Sequence, residues 1–434
     1  MRIHPFHIEP IILATFRQYF ASRISEDKLL RNVDFRRFWF SSTLNSFGAQ
    51  ISSLALPLCA VLLLHATPGQ MGVLVGLQAV PYALFSLPAG VLLDRSSKLP
   101  IILCSEFMCG LALASVALAY WCGWLSMSWL YAIGFLLGTA AVVGGGAEQI
   151  FLTHLVGRDG LIDAQTKFAT TDSASRLVGP GIAGILVQLL TAPVAVLVTA
   201  TGYMTSVLNL RAVSARDPRP APSDKHPLQD IKEGLVFVWG HSLLRALAWG
   251  AGLWHILFYG YAALGLLFAT RILGMTPGMI GVTQTLGGLG VFLSSMLLKP
   301  LTKRFGPGGT ILIGLGATAF GFTVAASIPP ALFGSTTASA VAYGILSFFF
   351  DCGVMLFFMP YMSLRQKVTP DAFLGRMIST MRFLTVAMAP IGAMLSGALA
   401  EHFGIRNALA CIAGGGILLT ISMVWFSPLR SVRA

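Results

Sequence analysis

Twelve apolar segments, each of about the length that crosses a bilayer, take up most of this chain, and its lysines and arginines gather in every second gap between them. A spanning helix needs about 20 apolar residues. Segments of that order lie at Phe35–Leu64, Met71–Leu93, Leu99–Cys122, Ser128–His154, Thr166–Leu189 and Ala192–Leu210, and again at Leu243–Thr270, Pro277–Leu298, Gly308–Ile328, Ser335–Leu364, Ala372–Ala400 and Ile405–Ser427. Only 11% of the 434 residues are charged, under half of the roughly 25% found in a soluble domain. The predicted fold class is therefore all-α integral membrane, with twelve transmembrane helices. The gaps leave no room for a separate catalytic domain.

The charges orient the chain. Arg31, Arg36, Arg37, Arg95, Lys98, Arg158, Lys167, Arg211, Lys232, Lys299, Lys303, Arg304, Arg365, Lys367, Arg376 and Arg430 fall on one side of the predicted topology, and only Arg271 and Arg406 on the other. Short basic loops stay in the cytoplasm, so both termini are expected there, with the chain in the cell (inner) membrane. The expected organisation is a cytoplasmic segment 1–34, a six-helix bundle 35–212, a linker with a short amphipathic helix 213–242, a second six-helix bundle 243–428 and a tail 429–434. The formal net charge of +12 would suggest nucleic acid in a soluble protein. Here it sits in orienting loops, and no nucleic-acid partner is expected.

Within 1–34, the apolar run Ile8–Phe16 is broken by Pro10, too short to span and without a clear cleavage site. Ile11, Ile12, Phe16, Phe20 and Ile24 can line one face of an interfacial helix; a start codon assigned too early explains the run equally well. The six cysteines lie in or beside apolar segments without the paired spacing of a zinc site. No metal and no cofactor are expected.

The two sets of six echo each other. Gly179-Pro180-Gly181-Ile182-Ala183-Gly184 in the fifth segment is answered by Ala389-Pro390-Ile391-Gly392 in the eleventh, and the gap after segment two by the gap after segment eight. Pseudo-symmetric halves are a transporter signature, because two repeats can rock about a site between them. Gly90-Val91-Leu92-Leu93-Asp94-Arg95-Ser96-Ser97-Lys98 resembles the loop motif G-x-L-x-D-R-x-G-R-R of the major facilitator superfamily, with Ser97 and Leu99 departing from it. Ser175 to Gly184 resembles the antiporter motif G-x-x-x-G-P-x-x-G-G of its exporter branches, with Gly179, Pro180 and Gly184 matching and Ser175 and Ala183 replacing glycines. Asn32 to Trp39 resembles the entry to helix one in bacterial siderophore, macrolide and related exporters. The likeness spans about Arg31 to Pro428 and implies the major facilitator fold. It also implies that Gly90, Asp94, Arg95 and Lys98 form a gating motif; the bland alternative is a set of solvated loop charges.

Ionisable residues inside spans are costly and often functional. Asp351, Glu148, Asp172 and Glu106 are candidates for proton coupling, with Arg176 and Arg382 as their charge partners. Asp351 lies 14 residues before Arg365, about 21 Å along a helix and so near mid-bilayer. Asp172 and Arg176 share a face at i,i+4 spacing; they either neutralise each other or handle protons and an anionic substrate group. Arg382 is expected to pair with Asp351 or Glu148. Asn45, Gln50, Gln78, Trp254, His255, Phe258, Tyr259 and Gln284 are candidates to line a substrate cavity, against the alternative that aromatic residues simply pack helices.

Together these features predict a secondary active transporter working by alternating access. The expected activity is that of a proton-coupled exporter (antiporter) of a small amphipathic molecule such as a drug or siderophore. Its partners are that substrate, protons and the lipid bilayer, and it is expected to act as a monomer. The alternative on the same fold is a lipid or lysolipid flippase, or a non-coupled facilitator, with no need for Asp351. No HExxH, GxSxG or GxxxxGK[ST] motif is present, so an enzyme is not expected.

Overall fold

A helix leaves its first N–H groups without intrahelical partners, and several apolar segments begin where a polar side chain takes them up. The computed structural model describes residues 27–215, 227–370 and 373–432. The predicted interfacial face of Ile11, Ile12, Phe16, Phe20 and Ile24 lies outside the described residues, as does the side chain of Asp94. Asp27 caps a single turn, α1 (Lys28–Arg31), and Asn32 caps α2 (Val33–Leu62). Thr67 and Gln70 make a reciprocal capping box on α3 (Pro68–Arg95), where Pro68 spends its missing N–H at no cost. Next comes α4 (Lys98–Trp121). Ser126 caps α5 (Met127–Gly157), which runs into α6 (Asp159–Leu190) through Gly157 at φ 69°. The sixth span is α7 (Ala192–Leu210), and the linker carries a short helix, α8 (Pro227–Gly240).

The second set begins with α9 (Ser242–Leu267), prolonged by a π-helical turn, Phe268–Ile272. Thr276 caps α10 (277–305), which meets α11 (307–327) at Gly306, again with positive φ. Ser335 caps α12 (Thr336–Lys367). The eleventh segment was expected to be one helix and is two, α13 (Leu374–Val386) and α14 (Ala389–Phe403). The cause is Pro390, which has no N–H to offer Val386 four residues back, so the ladder opens at Ala387 and Met388. α15 (Ile405–Phe426) and a 3-10 turn, Pro428–Ser431, close the chain. With α13 and α14 forming one crossing, the described residues make twelve crossings, one for each apolar segment. α6 starts about two turns earlier than Thr166, because Asp159 to Gln165 continue the helix beyond the apolar part.

The core has three apolar clusters, and their placement gives the molecule its shape. One cluster joins both sets of six: Leu54, Leu58, Leu74, Leu113 and Val196 share it with Leu264, Phe268, Ile280, Phe322 and Leu409. These residues lie toward the face opposite the basic loops, called the far face below. Toward the basic face the core is split. Phe35, Phe38, Ile102, Phe151 and Leu210 form one cluster, and Leu244, Leu247, Ile311, Phe357, Tyr361 and Met381 form another.

Two seams hold the halves together at the far face. In one, α6 crosses α10 so closely that a Cβ on Gly184 would stand 2.8 Å from the Cα of Gly281. In the other, α3 crosses α14, and a Cβ on Gly72 would stand 3.0 Å from the Cα of Gly397. Small residues allow such approach, and without it the apolar cluster behind them could not close.

Candidate functional site

At the junction of the two halves lies a cavity with two lobes, one of about 370 Å³, set against Ala269, Ile280, Tyr343 and Phe350 of the far-face cluster, and one of about 490 Å³. Gln50 of α2 and Arg176 of α6 line both. The smaller lobe belongs mainly to the second half: Phe258 and Tyr261 of α9, Gln284 and Gly288 of α10, and Tyr343, Ser347 and Asp351 of α12, closed by Pro180 of α6. The larger lobe belongs mainly to the first half: Asn45 and Ser46 of α2, Gln78 and Tyr82 of α3, Glu106 of α4, Glu148 of α5, Asp172 of α6 and Tyr203 of α7, joined by Tyr259 of α9. All four candidate carboxylates therefore face this cavity.

Two acidic groupings differ in their company. Asn45 donates from Nδ2 to Glu106 Oε1 at 2.6 Å. The hydroxyl of Ser206 lies beside this carboxylate, and Asn45 Oδ1 is buried without a partner among the described residues. A buried polar atom left unpaired costs about 1–3 kcal/mol, so this corner holds unused capacity for a ligand's donor group. In the second half, Asp351 lies against α10, where a Cβ on Gly287 would come within 2.1 Å of its Oδ2. Tyr261 and Tyr343 share a hydroxyl contact at 3.0 Å beside it. Arg176 bonds Asp172 through Nε at 2.8 Å, and both side chains are about half exposed to the cavity. The field of the same guanidinium reaches Asp351.

Asn45, Gln50, Gln78, Phe258, Tyr259 and Gln284 line the cavity. Trp254 and His255 do not, which corrects the expectation from sequence. Trp254 is 3% exposed, stacks on Phe258 at 4.8 Å and donates to Thr318 at 3.3 Å; His255 is 6% exposed and bonds the Ala251 carbonyl through Nδ1 at 2.7 Å. Both polar handles are satisfied inside the second half, so neither residue needs the cavity. Arg382 is a second correction. Its guanidinium lies over the Tyr82 ring at 5.2 Å, and among the described residues it makes no ion pair with Asp351 or Glu148. An aromatic face can hold a guanidinium in place of a carboxylate.

Of the loop motif, Arg95 ends α3 exposed, Lys98 is buried at the start of α4, and Gly90 has open space around it. In the Gly-Pro run, Gly179 lets α6 lie on Gln50, whose Cβ a side chain there would meet at 2.5 Å, and Gly184 forms the α6–α10 seam. Tyr203, Tyr343 and Ser347 were not picked out from sequence. Each lies among other hydroxyl-bearing residues of its helix, such as Thr201 and Thr205 on α7 and Ser339 on α12, so nothing in the sequence set it apart.

The sequence profile described as the Major Facilitator Superfamily matches residues 38–393. The chain is 26% identical over 369 residues to the multidrug efflux pump Tap of Mycolicibacterium fortuitum, covering 81% of this chain and 86% of that one. It is 24% identical over 405 residues to the enterobactin exporter EntS of Citrobacter koseri, covering 92% and 93%. Among solved structures, a bacterial homologue of the iron transporter ferroportin in an inward-facing state matches with a TM-score of 0.68 at 18% identity, over 92% of this chain and 99% of that one.

Proposed function

Because the chain belongs to the Major Facilitator Superfamily, a family of transporters and not of enzymes, we propose that it is a proton-coupled exporter of a small amphipathic molecule. The basic loops face the cytoplasm, which makes the far face the outer one and this conformation inward-facing. The observation that carries the reading is the two-lobed cavity at the junction of the halves. It offers carboxylates from both halves and aromatic walls, with one arginine between them. An amphipathic molecule suits such walls, and carboxylates that are poorly matched by neighbours suit proton exchange. The likeness to named efflux and siderophore exporters supports the outward direction.

In this reading Asp351 carries the transported proton, Glu106 and Glu148 contact the substrate or a second proton, and Arg176 responds to the charge on Asp351. The chain acts as a monomer in the inner membrane. The test is uptake of a fluorescent amphipathic substrate into everted vesicles energised by a proton gradient. Asp351→Asn is expected to abolish gradient-driven uptake while leaving insertion and thermal stability unchanged. Uptake that persists when the gradient is collapsed would remove proton coupling and favour an uncoupled facilitator or a flippase.

A further inference from the structure

The two far-face seams end in latches built to one plan, and only one of them carries a charge. Thr67-Pro68-Gly69-Gln70-Met71-Gly72 opens α3, and Thr276-Pro277-Gly278-Met279-Ile280-Gly281 opens α10; both read T-P-G-x-x-G. Each packs on a helix of the other half in the same register. A Cβ on Gly72 would meet the Ala393 carbonyl at 2.5 Å, and one on Gly281 would meet the Pro180 carbonyl at 2.6 Å. Four residues beyond each contact comes the close glycine, Gly397 or Gly184, and four beyond that a polar residue, Glu401 or Gln188.

Those last residues do the same thing. Glu401 Oε2 accepts from the Gly69 N–H at 2.8 Å and from the Thr67 hydroxyl at 3.2 Å. Gln188 Oε1 accepts from the Gly278 N–H at 2.8 Å and from the Thr276 hydroxyl at 3.3 Å. Each threonine also takes the N–H of the residue three positions on, Gln70 or Met279. The N-terminal N–H groups of a spanning helix are thus completed by a side chain from the opposite half, and separating the halves would uncover them. A carboxylate gains from the helix dipole where an amide does not, and its bonds are charge-assisted.

We infer that Glu401 is a gating residue that makes closure of the outer face sensitive to outer pH. As carboxylate it draws α14 onto the start of α3; when it takes a proton the α3–α14 seam loses that attraction, while the Gln188 seam is unaffected. Outer acid then favours opening outward, the state in which an antiporter takes up its proton. This rests on the orientation proposed above. Other ionisable groups around the latch are Arg271, which donates to the Ala66 carbonyl at 2.7 Å, and the hydroxyl of Tyr131 on α5, which feels the charge of Glu401. His65 precedes the start of α3 and His402 follows Glu401 on α14, and Arg406 donates to the Ile328 carbonyl at 2.6 Å.

The test is a spin-label distance across the far face in the full chain, reconstituted in lipid nanodiscs. The labels replace Trp124, between α4 and α5, and Phe333, between α11 and α12, both strongly exposed, in a background without the native cysteines. The long-distance population is expected to grow as the medium is acidified from neutral. Glu401→Gln should lower the closed-to-open ratio at neutral pH by about twofold to fivefold, the size of one helix-terminus charge, and should flatten the pH profile. Gln188→Glu should add a charged latch, with more closure at neutral pH and a steeper profile. A Glu401→Gln protein that keeps the unsubstituted pH profile would overturn the inference, and so would a Gln188→Glu protein with an unchanged one. These distances need no transport, so a failure of proton-coupled export in vesicles would be seen separately from a failure of the latch.

Discussion

Thr191 sits between α6 and α7 at φ 82° and ψ 158°, and Gly404 sits between α14 and α15 at φ 87° and ψ 154°. That region of backbone space belongs almost entirely to glycine and costs another residue about 1–3 kcal/mol. Thr191 makes no side-chain cap bond that would offset it. Thr191→Gly is therefore expected to stabilise the protein by about 1 kcal/mol, seen as a higher midpoint in a thermal unfolding assay in detergent; an unchanged or lower midpoint would contradict this. The same scale shows where sequence reading stops. Asp351, Glu106 and Glu148 could be picked out because a charge within an apolar helix is conspicuous. Trp254 and Phe258 could not be told apart, although they are one helical turn apart. In a membrane helix the faces toward lipid, protein and cavity are all largely apolar, so periodicity no longer marks which way a ring points.

Among elements, the seams matter most. Gly281 meets Gly184 almost backbone to backbone, and Gly281→Leu would force α6 and α10 apart. Overpacking of this kind costs about 1–3 kcal/mol, here charged to the closed outer face. The expected outcome is a shift to the long spin-label distance at every pH, with the helix content by circular dichroism unchanged. A smaller element gives a pH prediction at the basic face. Asp27 caps α1 and touches Lys167 of α6 at 2.5 Å. The Lys167 contact, helped by the Leu29 and Leu30 N–H groups, holds the Asp27 carboxyl below its ordinary value. Its stabilising effect is therefore present at neutral pH and lost as pH falls through the depressed folded value. The pair is partly exposed, so Asp27→Asn should loosen α1 by under about 1 kcal/mol, read as faster amide exchange at residues 29–32 above pH 5 (roughly) and no difference in stronger acid. Length and hydropathy were enough to find every crossing. The break between α13 and α14 was missed because the hydropathy runs on unbroken and only Pro390 marks the place.

For the whole molecule, the split core predicts one-sided access. Ser46 and Ser347 line the two lobes. Cysteines placed there, in a background without native cysteines, should react with a membrane-impermeant thiol reagent from the basic side and much more slowly from the far side. Equal rates from both sides would mean that the far-face cluster does not close the cavity. The closure itself has a thermal consequence. Leu54, Leu74, Leu264 and Ile280 belong to a single cluster bridging the halves, while Phe35 and Phe357 belong to separate ones. Rocking the halves to the opposite state would wet part of the first and dry part of the others. Hydration of apolar surface sets the heat capacity. Surface exchanged between faces, with little net change in area, leaves the heat capacity of the two states nearly equal, and their balance should drift little as the temperature changes.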